Sequence, residues 1–214
     1  MKKLLLAAVF ALIPSLASAQ AYVEGSLGFV LFPDVETDEY TIDTGFGIFE
    51  GNAEAEYNAQ LGFGIEGGFQ TGRWRFGASA DFISAELDTA RVEGVLDGVP
   101  IAEEITDDEL EDFGIGANND VSIFSGNAYY HFGSMNSAIQ PYLGAGLGIA
   151  TFDDFSSEVA FLFTLGANVP LGQSAYLGGR YRIALIGGPE DRGIELNGIT
   201  THTFSVVLGF RFGG

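Results

Sequence analysis

Two histidines, seven arginines and no cysteine set the chemistry this 214-residue chain could attempt. A nucleophilic site needs a hydroxyl or thiol, a base, and a group that orients the base. His202 has hydroxyls on both sides in Thr201 and Thr203, but a His-x-Ser arrangement is absent. His131 sits among aromatics, next to Tyr130 and Phe132. No triad and no metal-ligand spacing emerges, and the glycines of Gly144-Ala145-Gly146 lack the following helix that a phosphate-cradling loop requires. The expectation is therefore no catalytic residue, no cofactor and no dedicated metal site. One stretch is dense in hard oxygen ligands, Asp107-Asp108-Glu109-Leu110-Glu111-Asp112. It lacks the spaced D-x-D-x-D-G pattern of a calcium loop, so weak divalent binding is the most it implies beside a solvated acidic surface.

The other charges with a pattern are Glu24, Glu66 and Asp81 together with Arg75, Arg180, Arg182 and Arg211. Each occupies a position whose two neighbours are apolar or small. Charges persist away from water only when paired. These seven are expected to form a charge network inside the protein, structural rather than catalytic, with an ion gate as the alternative.

Eight segments must position them: 22–32, 57–69, 73–85, 121–132, 140–152, 158–169, 175–186 and 201–212. Each alternates with period two, as a strand with two unlike faces does. Val23, Leu27 and Phe29 oppose Glu24 and Ser26; Trp74, Phe76 and Phe82 oppose Arg75, Ser79 and Asp81; Tyr181 and Ile183 oppose Arg180 and Arg182. A soluble sandwich with one buried face would alternate too. However, the polar face here is rich in glycine and carries both signs of charge, as a narrow lumen would. Aromatics (Phe69, Trp74, Tyr130, Phe132, Phe210, Phe212) also gather at the strand ends beside the short turns. That is the pattern of a lipid-facing barrel wall with an interfacial girdle, and in hydrocarbon only a closed barrel pairs every strand.

The ends and connections agree. Lys2-Lys3, an apolar run from Leu4 to Leu12 and Ala17-Ser18-Ala19 have the layout of a secretory signal peptide. Residues 1–19 are expected to be removed, leaving one domain over 20–214. Short turns follow the second, fourth and sixth strands. The connections 33–56, 86–120, 153–157 and 187–200 alternate with them and mostly run longer, which fits outward loops and short periplasmic turns. Asp97-Gly98 between apolar residues signals a hairpin. Extensions above the membrane are expected there and around Phe46-Gly47-Ile48-Phe49; counting them as wall would give ten strands instead of eight. Of the 29 acidic residues, 26 fall in the outward connections or at their edges. The net charge of −20 is thus a loop property that disfavours nucleic acid. Eight strands enclose room only for side chains, so nothing wider than an ion-scale leak is expected.

At this point the residues resemble a family. Pro141-Tyr142-Leu143-Gly144-Ala145-Gly146-Leu147-Gly148-Ile149-Ala150 looks like the fifth strand of opacity-type, outer-membrane β-barrel domain proteins. Leu177-Gly178-Gly179-Arg180-Tyr181-Arg182 resembles the family's next-to-last strand, and Leu208-Gly209-Phe210-Arg211-Phe212 its closing one. The resemblance implies an all-β, eight-stranded antiparallel transmembrane barrel in the cell outer membrane. Its members include adhesins, structural proteins and surface antigens. It also implies contact with outer-membrane lipid and lipopolysaccharide, and reading of the closing strand by the barrel-insertion machinery. The family ends on an aromatic residue, whereas here Gly213 and Gly214 follow Phe212. The expected function is a non-enzymatic surface protein with a structural or adhesive role through acidic loops toward an unidentified extracellular ligand. A narrow channel is the alternative and a lipid-modifying enzyme the third reading.

Overall fold

The computed structural model describes residues 19–33, 35–36, 40–43, 47–106, 118–133, 137–152, 156–188, 190–191, 194–195 and 198–213. Residues 1–18 of the expected signal peptide 1–19, Gly214 and the acidic run 107–112 lie outside the described residues. In chain order the strands are β1 (Gln20–Leu31), β2 (Val35–Glu36), β3 (Tyr40–Asp43), β4 (Ile48–Tyr57), β5 (Gln60–Thr71), β6 (Trp74–Leu96) and β7 (Val99–Thr106). They continue with β8 (Asn118–His131), β9 (Gln140–Phe152), β10 (Glu158–Leu171), β11 (Ala175–Ile186), β12 (Glu190–Asp191), β13 (Ile194–Glu195) and β14 (Ile199–Phe212).

Eight of these close a ring in the order β1-β5-β6-β8-β9-β10-β11-β14, every neighbour antiparallel, with β14 returning to β1. Closure pairs Val23 with Phe210 and Leu27 with Val206. With no open edge, each wall strand finds hydrogen-bond partners on both sides, which hydrocarbon demands. The wall is turned inside out relative to a soluble protein. Leu27 is 61% exposed, Phe63 58% and Phe204 52%, whereas Glu66 is 2% and Arg75 1%. The aromatic girdle assembles at the end with the short turns: Trp74 packs edge-on to Tyr130 at 5.1 Å, and Tyr130 to Phe132 at 5.3 Å. The turn between β5 and β6 uses Gly72 at φ +56°, and the one between β10 and β11 uses Gly172 at φ +79°, both in the left-handed region that glycine enters freely.

Two features depart from the expectation. First, the third wall strand does not stop near Ala85. β6 runs 23 residues, about 75 Å of strand at ~3.3 Å per residue, far more than a ~25 Å apolar band needs. Its lower half pairs with β5 and β8, and its upper half pairs with β4 and β7. The stretches expected as outward loops thus carry a sheet, β4-β6-β7, that stands above the wall. These strands flank the upper half of β6 and add nothing to the ring, so the wall count stays at eight. The hairpin expected at Asp97-Gly98 is present, with φ +49° and +83°, the two positive values of a type I′ turn. Asp97 also accepts from the Ile48 amide at 3.1 Å, tying the outer end of β4 to the tip.

Second, the inner face is not polar along its whole height. Toward the outer end Val30, Ile83, Val121, Ile123, Leu162, Ile186 and Ile199 converge into a buried apolar collar, with Phe32 and Phe152 packed against it. These residues have inward parity on strands that are apolar on both faces at that level, as fully buried strands are.

Candidate functional site

Below the collar the lumen is filled by charge. Glu24 on β1, Glu66 on β5, Arg75 and Asp81 on β6, and Arg180 and Arg182 on β11 all point inward because each has the parity opposite to its strand's lipid face. Arg75 Nη2 lies 2.6 Å from Glu24 Oε2 and 3.0 Å from Glu66 Oε1. Arg180 Nη1 is 2.9 Å from Glu24 Oε1 and 3.9 Å from Glu66 Oε2. Arg182 Nη1 holds Asp81 Oδ2 at 2.6 Å, and its Nη2 lies 3.6 Å from Glu66 Oε2. Three carboxylates thus interleave with three guanidiniums, and every strand contributing one is tied to another across the lumen.

The seventh residue of the expected set stands apart. Arg211 donates to Gln140 Oε1 at 2.9 Å and lies over the Tyr176 ring at 4.7 Å. It makes no carboxylate ion pair among the described residues. Register places Arg211 opposite Tyr22, one inward rung from Glu24 opposite Gly209.

Sequence reasoning missed the phenols that complete the lattice. Tyr22 and Tyr129 each donate to Glu66, at 2.5 Å to Oε1 and Oε2 respectively. Tyr176 donates to Glu24 Oε2 at 2.8 Å, and Asn127 Nδ2 to Glu66 Oε2 at 3.4 Å. The Arg75 guanidinium lies 4.2 Å from the Tyr22 ring centroid and 4.8 Å from that of Tyr129, a cation–π arrangement that gains strength when desolvated. The available signal was parity. Tyr22, Tyr129 and Tyr176 alternate in step with the charges and out of step with the lipid face.

A narrow lumen holds such large side chains only if neighbouring strands give way. A β-carbon at Gly144 would collide with the Tyr129 ring, one at Gly166 with Tyr142, and one at Gly209 with Tyr176. Tyr129, Tyr142 and Tyr176 thus each lean over an inward glycine of the neighbouring strand, and Tyr22 reaches over Gly77 of β6.

Between lattice and collar lies a cavity of about 20 Å³ lined by Ser26, Asp81, Arg182, Ile123, Leu162 and Thr203. That is space for about one water. The two histidines do not meet. His131 is buried in the lumen with its ring 5.2 Å from Tyr142. His202 is on the outer face, its Nδ1 2.7 Å from the Tyr181 hydroxyl. Among the described residues, neither has a carboxylate and a nucleophilic hydroxyl hydrogen-bonded around it. No group of three or more His, Cys, Asp or Glu side chains that could hold a metal occurs among the described residues.

The second cluster is the outer sheet. Register places Arg91 opposite Glu54 and Glu104, Glu93 opposite Asn52, and Val95 opposite Glu50, all on one face. Arg91 lies 2.8 Å from Glu104 and 4.0 Å from Glu54. Among the described side chains, that face carries four carboxylates against one guanidinium at the exposed surface.

One known structure shares this architecture at a TM-score above 0.5, and two others are similar at lower scores. The chain superposes on Neisserial surface protein A with a TM-score of 0.55 at 14% identity, covering 91% of this chain and 99% of that one. The outer membrane protein AlkL, solved in lipid bilayers, gives 0.46 at 16%, covering 91% and 92%. Ail, the attachment invasion locus protein of Yersinia pestis, gives 0.39 at 14%, covering 90% and 99%. At these identities the first shows the fold alone. No curated protein matches the chain in sequence. The family profile described as the outer membrane protein beta-barrel domain matches residues 4–212. A closed, inside-out wall of eight strands and a profile match over nearly the whole length lead to one assignment: the chain belongs to the outer membrane protein beta-barrel domain family and resides in the outer membrane.

Proposed function

We propose that the protein is a non-enzymatic surface barrel, structural in its wall and adhesive through its acidic outer sheet. The observation that carries this reading is β6, whose upper half leaves the wall and holds β4 and β7 in a sheet with an acidic face. A partner with basic groups fits that face, since opposite charge speeds encounter and selects the partner. The lumen supports the same reading. Six charged side chains are cross-linked at mid-height and an apolar collar lies above them, a plug rather than a path. In this proposal Glu24, Glu66, Arg75, Asp81, Arg180 and Arg182 act structurally, while Arg211 closes the periplasmic end. Residues 1–19 serve as the export signal, the outer wall contacts outer-membrane lipid and lipopolysaccharide, and the insertion machinery reads β14 up to Phe212.

The test is adhesion of cells displaying the protein to epithelial layers and to surfaces coated with a basic protein. Deletion of residues 92–101 is expected to lower adhesion while heat-modifiable gel migration persists. Undiminished adhesion of a correctly folded deletion variant defeats the proposal. Single-channel recording addresses the competing reading, because steady conductance abolished by Arg180→Ala would make the lumen a channel.

A further inference from the structure

The outer sheet has two edges of unlike character. Beyond β4 it is finished by β2 and β3, of two and four residues, and very short strands blunt an edge. On the other side stands β7, eight residues long, whose neighbour among the described residues is β6 alone. It sits above β8, which pairs with the lower half of β6. The connection 153–157 on that side is too short to screen a strand of about 26 Å at ~3.3 Å per residue. Val99 is 63% exposed, and Pro100, Ala102, Glu103 and Glu104 are exposed as well.

The direction of the backbone groups along β7 follows from its partner. The Asp97 amide donates to the Ile48 carbonyl, so odd residues near the tip of β6 turn their polar groups to β4 and even ones turn theirs to β7. Leu96, Gly94 and Val92 therefore exchange bonds with Val99, Ile101 and Glu103. In an antiparallel ladder the alternate residues point the other way. Pro100, Ala102 and Glu104 thus hold their backbone groups outward, and proline fits there because it has no N–H to give. The edge offers the amides of Ala102 and Glu104 and the carbonyls of all three.

The side chains select what can be added. Glu103 and Glu104 are consecutive and so project from opposite faces of the sheet. Glu104 is engaged with Arg91 on the acid face, whereas Glu103 has no ion pair among the described residues. Val99 and Ile101 share the face of Glu103. A cationic strand is favoured beside these acids, and a second copy of β7 is repelled because it brings the same charges.

We infer that the free edge of β7 is the docking strand for an extended basic segment of a partner protein, which joins the outer sheet as one more strand. Two adjacent cationic residues of that segment meet Glu103 and Glu104. An apolar residue two positions from the one at Glu103 meets Ile101. Main-chain bonds supply affinity in such additions, and alternate side chains supply selection. The inference rests on the adhesive reading of the outer sheet and names the contact through which it acts.

The protein in lipid nanodiscs tests it, with the capped octapeptide Thr-Val-Thr-Arg-Lys-Thr-Val-Thr as the probe. Residue-resolved amide hydrogen exchange should slow by about tenfold at Ala102 and Glu104, the scale of one hydrogen bond gained. Ile101 and Glu103, already bonded to β6, should change little. Ala102→Pro removes an outward donor and keeps every carboxylate, and peptide affinity is expected to fall about tenfold. Ala102→Thr keeps the N–H and should bind as the native protein does. Glu103→Gln should weaken binding about fivefold. Protection at Ile101 and Glu103 reports that the hairpin of each variant is intact. If Ala102→Pro loses it, the octapeptide methylated at every amide nitrogen takes its place and is expected not to bind. Native-level binding by the folded Ala102→Pro variant or by the methylated peptide overturns the inference, as does exchange that slows nowhere along β7. Adhesion that still depends on the carboxylates would then leave the adhesive reading standing through side-chain charge alone. Slowed exchange at Ala102 and Glu104 in a protein whose cells do not adhere keeps the edge site and defeats the adhesive reading instead. A β7-to-β7 cross-linked dimer that is lost on Ala102→Pro would give the edge to a second copy and likewise overturn the inference.

Discussion

The lumen and the outer sheet use the same side-chain types to opposite ends. In the lumen three carboxylates meet three guanidiniums in a largely buried lattice, and Tyr22, Tyr129 and Tyr176 donate further hydrogen bonds to Glu24 and Glu66. On the outer sheet Arg91 faces Glu50, Glu54, Glu93 and Glu104, and the excess acid is solvated. Desolvation explains the difference. A buried ion must be matched and hydrogen-bonded or it destabilises the fold, whereas an exposed one costs little and contributes little. Charge that is matched inside holds the wall together, and charge left unmatched outside is available to a partner.

Removing one carboxylate from the lattice should have the largest effect. Glu66→Ala leaves Arg75 and Arg182 short of a partner and strands two phenols. Loss of one member of a buried pair costs about 3–5 kcal/mol. Equilibrium urea unfolding in lipid vesicles should show a loss of that size, and a loss below about 1 kcal/mol would remove the lattice as the support of the wall. The next effect concerns space rather than charge. Gly209→Ala drives a methyl into the Tyr176 ring, and overpacking of this kind costs about 1–3 kcal/mol. The outward Gly126 has nothing within 4 Å of where a β-carbon would stand, so Gly126→Ala should change unfolding by less than about 0.5 kcal/mol. If the two substitutions behaved alike, the leaning of tyrosines over glycines would not be what shapes the lumen. The smallest effect on stability belongs to the outer sheet. Asp97→Ala loses the bond to the Ile48 amide and should speed proteolysis of the hairpin tip on whole cells, while the unfolding midpoint of the barrel stays in place.

The sequence and the structure agree where a single rule governs and diverge where two compete. Wall strands such as 22–32 were legible because Leu27 and Phe29 must face lipid while Glu24 must not. The Asp97-Gly98 turn was legible because both residues tolerate positive φ. The extension above the membrane was legible from the same turn, but its continuity with the wall strand was not. Arg91 and Glu93 make the upper half of β6 unfit for lipid, and a stretch unfit for lipid reads as a break in the wall. Yet a strand above the membrane may carry charge freely, and β4 and β7 supply its hydrogen bonds. The collar was hidden for the reverse reason. Val30-Leu31 and Phe82-Ile83 are apolar on both faces, so alternation vanishes where the lumen itself is dry. Of the lattice, the charged residues could be read from parity, but Arg211 shares that parity, and only the contacts show that it turns to Gln140 and the Tyr176 ring. The tyrosines needed the same parity argument extended to uncharged donors.

The division of labour between matched and unmatched charge is tested most directly by adhesion of cells displaying a variant with Glu50, Glu54, Glu93 and Glu104 all changed to glutamine. Binding to a basic-protein surface is expected to fall to the level of cells lacking the protein, with heat-modifiable migration of the barrel retained. Full adhesion by a folded variant would contradict the account, since the unmatched acid outside the membrane would then be doing nothing that the matched charges inside could not explain.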